Sequence, residues 1–174
     1  LNLATVRLAK DVGINNIISI AKKAGISTSM ENDLSLSLGT SGVKMIDLAR
    51  AYASVANGGF SVWPYSVKEV YSNDGFQLYQ RNPSEKIRIF SEKEVDYMRK
   101  LLREVLKTGT GRYAHYGKEV FGKTGTSQDN RDAWFVGFDE EKICIVWVGN
   151  DDNSAMQGIY GSGLPARIWK KIMQ

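Results

Sequence analysis

Gly122-Lys123-Thr124-Gly125-Thr126-Ser127 is followed by a polar turn, Gln128-Asp129-Asn130-Arg131, and then by Asp132-Ala133-Trp134-Phe135-Val136-Gly137-Phe138. Val120 and Phe121 lead in with strand-type residues, and the apolar run after the turn reads as a second strand. This places a lysine, two threonines and a glycine on one strand beside a tight connection. Alternate side chains of a strand point the same way, so Thr124 and Thr126 share a face. Their hydroxyls, with a nearby ammonium, suit a carboxylate. Gly125 lets a substrate backbone lie close, and the Thr126 amide is placed to donate to a developing oxyanion.

Working outward, three strand-like runs cover 118–126, 132–138 and 142–149. Before them, helices are expected over 2–11, over Ile14 to Ala24 with Gly25 as stop, and from Val43 to Ala56 with Asn57-Gly58-Gly59 as stop. Residues 26–42 read as a loop anchored by Leu34, Leu36 and Leu38. Runs 60–71 and 76–80 flank Ser72-Asn73-Asp74-Gly75, which is hairpin chemistry. Ser91 and Glu94 form a capping box for a helix through Leu106, and Gly109 to Gly117 is a glycine-rich loop. Leu164 to Met173 closes as an amphipathic helix. Helices, then an antiparallel meander, then a helix imply an α+β fold with segregated layers rather than alternating βαβ units.

The chain's 174 residues suffice for one domain with a real core. A net charge of +4 suits an anionic partner but not nucleic acid, since no basic run carries interleaved aromatics. The lone Cys144 excludes a disulfide or Cys-type zinc site, and the single His115 excludes a multi-His metal site, so neither metal nor cofactor is expected. His115 reads as an exposed loop residue. Asp151-Asp152 reads as a solvated turn, Trp63-Pro64 as a bend, and Trp134, Trp147 and Trp169 as core or strand-packing aromatics. Gly117, Gly122, Lys123 and Thr124 also fit the phosphate-loop pattern G-x-x-x-x-G-K-[ST]. That loop needs a buried strand before it and a helix at the lysine, and the residues on either side oppose both.

The run K-T-G-T-S followed by D-A-W-F-V-G-F resembles the third motif of the penicillin-binding transpeptidases and serine β-lactamases. Further stretches resemble the transpeptidase domain of class A penicillin-binding proteins, in the same order. Leu1-Asn2-Leu3 through Ala9 resembles the segment opening with the family's S-x-N motif, with Asn2 as its Asn. Leu38-Gly39 and Val43 through Gly59 resemble its helix-to-Asn-Gly segment, and Thr110-Gly111 with Ala114 the loop before K-T-G. Ile145 through Asp151 resembles the next strand but one, and Pro165 to Met173 the last helix. Lys44-Met45 departs from a Ser/Thr-Pro pattern, and Pro165-Ala166-Arg167 from Ala-Ala-Pro.

The resemblance implies a serine β-lactamase/D,D-transpeptidase-like α+β fold, an antiparallel sheet flanked by helices. Residues 1–174 would be the C-terminal portion of a single transpeptidase domain, incomplete at the N-terminus. The implied reaction is acyl transfer: a Ser attacks the D-Ala-D-Ala bond of a peptidoglycan stem peptide, and a neighbouring stem's amine captures the acyl group. β-Lactams acylate the same Ser. Lys123, Thr124, Gly125, Thr126 and Ser127 would bind substrate. Asn2, Lys123 and Thr126 would serve catalysis, Thr126 through half of the oxyanion hole. The S-x-x-K nucleophile is expected upstream of Leu1, leaving the fragment inactive alone. Ser19 with Lys22 and Ser41 with Lys44 also spell S-x-x-K. Ser19 sits in a helix body, and Ser41 reads as the N-cap of the helix from Val43. Also implied are the rest of a parent chain, an upstream membrane anchor, and a bacterial membrane location on the periplasmic or extracellular face. A β-lactamase, a D,D-carboxypeptidase or a non-catalytic penicillin-sensing or scaffold module are the alternatives.

Overall fold

The computed structural model describes residues 2–174; Leu1, the first residue of the segment compared with S-x-N, lies outside the described residues. Two short helices, α1 (Asn2–Val12) and α2 (Ile14–Ala24), open the chain. Gly25 ends α2 in a left-handed conformation, where its N–H reaches the carbonyls of Ala21 and Lys22. The Leu34–Leu38 segment folds as a 3-10 turn capped by the Asp33 side chain and lies against α1; of the three expected anchors Leu36 is half-buried, while Leu34 and Leu38 stay exposed.

Helix α3 (Met45–Ala56) starts two residues later than its periodicity suggests. Its N-cap is Lys44, without a side-chain hydrogen bond, so Ser41 is not the cap. The Ser41 hydroxyl instead accepts from the Glu31 N–H at 3.3 Å and ties the preceding loop. Asp47 does the local fastening: only 4 % exposed, it accepts from the Ser27 N–H and hydroxyl at 2.8 and 2.6 Å. A buried carboxylate needs such donors. They pin the loop after α2 to the first turn of α3.

The expected hairpin is shorter than its sequence runs. Only β1 (Glu69–Tyr71) and β2 (Gln77–Gln80) pair, antiparallel, and residues 60–68 are largely irregular. The Ser91 capping box forms as expected and opens α4 (Glu92–Lys107).

The main sheet has three antiparallel strands in the order β3 (Phe121–Thr126), β4 (Asp132–Phe138), β5 (Ile143–Gly149). β3 begins at Phe121 rather than at residue 118. The register pairs Phe121 with Phe138, Thr124 with Phe135 and Thr126 with Ala133. One face carries Phe121 and Phe138, stacked at 5.1 Å, and packs on Val55 of α3 and on Val95 and Leu102 of α4. The other carries Phe135 and Val146 and packs on α5 (Leu164–Met173) through Ala166, Trp169 and Met173. Trp169, 0 % exposed, approaches the sheet closely at Gly137, where a Cβ would meet its indole at 2.9 Å. Its indole N–H donates to the Cys144 carbonyl at 3.0 Å, which satisfies the one polar atom it buries.

Candidate functional site

Among the described residues no strand pairs with the outer side of β3, so the lysine-threonine strand is an open edge. Its backbone polarity follows from the turn. The Ser127 N–H donates to the Asp132 carbonyl at 3.0 Å, making those two a hydrogen-bonded pair. Bonded and non-bonded pairs alternate along an antiparallel ladder. Gly125 with Trp134 and Lys123 with Val136 are therefore bonded pairs, and the N–H and C=O groups of Thr124 and Thr126 point away from β4. The Thr126 amide is thus presented outward, as an oxyanion donor must be.

The side chains divide by alternation. Thr124 and Thr126 share one face; Lys123 lies on the other, with Gly125. The Thr126 hydroxyl accepts from the Gly161 N–H at 3.0 Å. A hydroxyl that accepts from an amide keeps its own proton to donate, so this bond holds Thr126 as a donor. The Thr124 and Thr110 hydroxyls lie 2.6 Å apart, and whichever does not donate across that pair also keeps a free proton. Lys123, exposed as a residue, turns its ammonium back onto the strand and donates to the Thr124 carbonyl at 2.8 Å. Desolvation against the protein lowers its pKa from the usual lysine value. The ammonium is held at the strand edge by a backbone contact that a stronger, anionic acceptor can replace.

Ser127 has a structural duty. Its hydroxyl accepts from the Asp132 N–H at 2.7 Å, and Asp132 in turn accepts from the Trp147 indole at 2.9 Å, which locks the β3–β4 turn. Asp129 and Asn130 take left-handed conformations within that turn, which their short polar side chains tolerate.

Asn2 stands at the start of α1, which packs on α2 and on the Leu34–Leu38 turn. Among the described residues no hydrogen bond joins Asn2 to Lys123 or Thr126. The strand supplies Lys123, Thr124, Gly125 and Thr126 together, and Ser127 follows at its end. Two residues that motif reading did not assign to the site also touch it: Thr110 and Gly161. A Cβ at Gly161 would collide with the carbonyl oxygens of Gly125 and Trp134, so only glycine brings this loop down onto the sheet. No sequence signal marks that approach.

The remaining motifs resolve plainly. No strand leads directly into Gly117, which follows a 3-10 turn, and Lys123 lies within β3 rather than at a helix start, so the phosphate-loop arrangement is absent there. Ser19 is exposed on α2. The Asp152 carboxylate accepts from the Ser154 N–H within a turn. Among the described residues no cluster of three potential metal ligands occurs.

Comparison with known proteins adds the family context. The penicillin binding protein transpeptidase domain model matches residues 2–174. Penicillin-binding protein 1A of Aquifex aeolicus is 33% identical over 176 residues, which is 100% of this chain and 24% of that protein. Penicillin-binding protein 1A of Neisseria meningitidis is 29% identical over 181 residues, 99% of this chain and 23% of that protein. The chain thus spans about a quarter of the length of these curated relatives. Among solved structures, the PonA1 protein from Mycobacterium tuberculosis in complex with penicillin V aligns with a TM-score of 0.84 and 28% identity, over 95% of this chain and 50% of that one. Penicillin-binding protein 1A from Haemophilus influenzae aligns with a TM-score of 0.86 over 98% of this chain and 32% of that one; at 23% identity it speaks to the fold alone.

Proposed function

The chain belongs to the penicillin-binding protein transpeptidase domain family, and we propose that it forms the substrate-binding wall of a peptidoglycan D,D-transpeptidase. Its fold is the α+β, β-lactamase/transpeptidase-like one that the sequence resemblance implied. The observation that carries the proposal is the open edge of β3. There an outward Thr126 amide, hydroxyl donors on Thr124 and Thr126, and the Lys123 ammonium meet along one strand.

In this reading a D-Ala-D-Ala stem peptide lies along β3. Its terminal carboxylate draws the Lys123 ammonium off the Thr124 carbonyl and accepts from the two threonine hydroxyls. Charge-assisted bonds of this kind are worth roughly twice a neutral one. The Thr126 amide stabilises the oxyanion formed as a serine attacks the penultimate carbonyl, and Gly125 admits the substrate backbone. Residues 1–174 then act as part of one transpeptidase domain. The nucleophile is neither Ser19, exposed in a helix body, nor Ser41, engaged in its loop by Glu31; we assign it to an S-x-x-K segment outside these residues. Asn2 serves substrate orientation. Ser127 contributes mainly by fixing the turn. A β-lactam, which carries a comparable carboxylate, occupies the same wall. The reaction places the domain outside the bacterial membrane, where peptidoglycan is built. Among the described residues no helix is long and apolar enough to cross a membrane.

Intact-mass spectrometry after incubation with a penicillin tests this, on the 174-residue chain and on the same chain extended at its N-terminus. The expected result is an adduct on the extended chain alone, lost or slowed about tenfold or more in Lys123→Gln. An adduct on a serine of the shorter chain would sink the assignment.

A further inference from the structure

Beside the β1–β2 hairpin, on segment 57–86, lies a cleft of about 410 Å³ that the transpeptidase reading does not use. Its volume falls in the range of small-molecule sites, roughly 300–1,000 Å³. Its lining includes Phe60, Trp63 and Tyr65 together with Lys68, Arg81 and Lys86, and no carboxylate. Trp63 and Tyr65 are 51% and 56% exposed, so their rings are accessible from the cleft. Three arginines each cap one of these rings. Arg88 lies 4.2 Å from the Phe60 centroid, Arg50 4.3 Å from that of Trp63, and Arg81 3.8 Å from that of Tyr65. Stacking of this kind fixes a guanidinium without neutralising it.

Carboxylates stand close in sequence but do not cancel the charge. Glu69 reaches Lys68 only at 4.0 Å, a weak surface pair. Among the described residues neither an ion pair nor a hydrogen bond engages the Lys86 ammonium, although Glu85 adjoins it in the chain.

We propose that this cleft binds a phosphate ester carried on a sugar ring, with the ring against Trp63 and Tyr65 and the phosphate among Lys68, Arg81 and Lys86. The choice of phosphate over carboxylate comes from charge. Lys68, Arg81 and Lys86 line the cleft with no carboxylate among them, and a phosphate monoester carries about −1.5 to −2 at neutral pH against a single charge on a carboxylate. The Arg81 guanidinium is held in place, its Nη2 donating to the Trp63 carbonyl at 3.3 Å and to the Ser84 hydroxyl at 2.6 Å, and keeps its other donors.

The test is an NMR titration of the 174-residue chain, following the Trp63 indole N–H, with glucose 1-phosphate, glucose, glucuronate and inorganic phosphate as probes. Glucose 1-phosphate is expected to give a saturable shift that weakens with added salt. Lys86→Gln, at an exposed position with no packing to lose, is expected to weaken it about tenfold, the loss of one charge-assisted contact. Glucose should give no comparable shift. No response to glucose 1-phosphate, or no effect of Lys86→Gln, overturns the site. Equal binding of glucuronate overturns the phosphate assignment, and equal binding of inorganic phosphate overturns the part given to the ring.

Discussion

Gly161→Ala should damage the sheet edge far more than a surface glycine substitution ordinarily does. The added methyl would collide with two carbonyl oxygens, one on Gly125 in β3 and one on Trp134 in β4, and would come to 3.0 Å from the Gly125 nitrogen. Those two residues are paired across the ladder, so neither strand can yield without loosening the other. The loop must lift instead. That breaks the bond from the Gly161 N–H to the Thr126 hydroxyl, 3.0 Å long. Overpacking at a rigid contact costs about 1–3 kcal/mol, and the lost hydrogen bond adds about 1 kcal/mol. The two share one displacement and do not add in full, so about 2–3 kcal/mol is expected. For a domain of this size 1 kcal/mol moves Tm by about 2–4 °C, so the fall should be about 4–12 °C. Thermal denaturation followed by circular dichroism reads it. Gly42→Ala is the control: nothing lies within 4 Å of its Cβ and its φ is not positive, so it should stay within about 0.5 kcal/mol of the parent. If both variants melt together, the close approach of this loop to β3 is wrong, and so is the account of what orients Thr126.

Three further outcomes follow from other parts of the fold. Ser91→Ala removes one half of a formed capping box and should cost about 1 kcal/mol, a Tm drop of about 2–4 °C, while a drop as large as that of Gly161→Ala would mean that α4 holds more than its own first turn. The Ser27 hydroxyl and N–H bonds hold the Asp47 carboxyl below its ordinary value of 3.8. Its folded pKa is depressed, so its stabilisation is complete above about 3.8 and is lost as pH falls through the folded value. Asp47→Asn should therefore melt lower at pH 7 and lose less on going to about pH 3 than the parent does; an unchanged difference between the two pH values would remove Asp47 from the acid limb. Burial pushes the Cys144 thiol up from its ordinary value, with Lys142 opposing weakly. Reaction with Ellman's reagent at about pH 8 should thus be slow in the folded chain and about tenfold faster or more in urea, whereas equal rates would place the thiol in open solvent.

Most of the fold was legible because its signals are local. Helices α1, α2 and α5 follow their apolar stripes and glycine stops to within a residue, and the Ser91–Glu94 box marks the start of α4 to the residue. The failures have one cause, tertiary partners outranking local propensity. Ser41 is good cap chemistry, but the Glu31 N–H takes its hydroxyl, and Asp47 with Ser27 fixes the entry to α3 in its place. Residues 60–68 carry strand-type residues but stay largely irregular. Arg50 and Arg81 bind the carbonyls of Val62 and Trp63 that a strand partner would otherwise take. In the site, the strand and its alternation came from the sequence pattern. Contacts from Thr110 and Gly161 did not, because they reach the strand from 14 and 35 residues away.

An open edge such as β3 is normally a hazard, since its unpaired amides and carbonyls invite another strand. Here the sequence protects the edge with the groups that give it chemical use. The Lys123 ammonium covers the outward carbonyl of Thr124 and adds a charge that another strand would have to desolvate. The Thr110 hydroxyl pairs with that of Thr124 and leaves one proton of the pair to donate, and the Gly161 loop lies down at Thr126. What stays available is a short stretch with an outward amide at Thr126 and donors on both sides. It is long enough for a peptide terminus and too interrupted for a second strand. A carboxylate can compete for the Lys123 ammonium, while a neutral backbone offers it nothing better than the carbonyl it already holds. In the reading proposed above, the same contacts that discourage pairing with another strand would favour an anionic chain end over an arbitrary extended peptide.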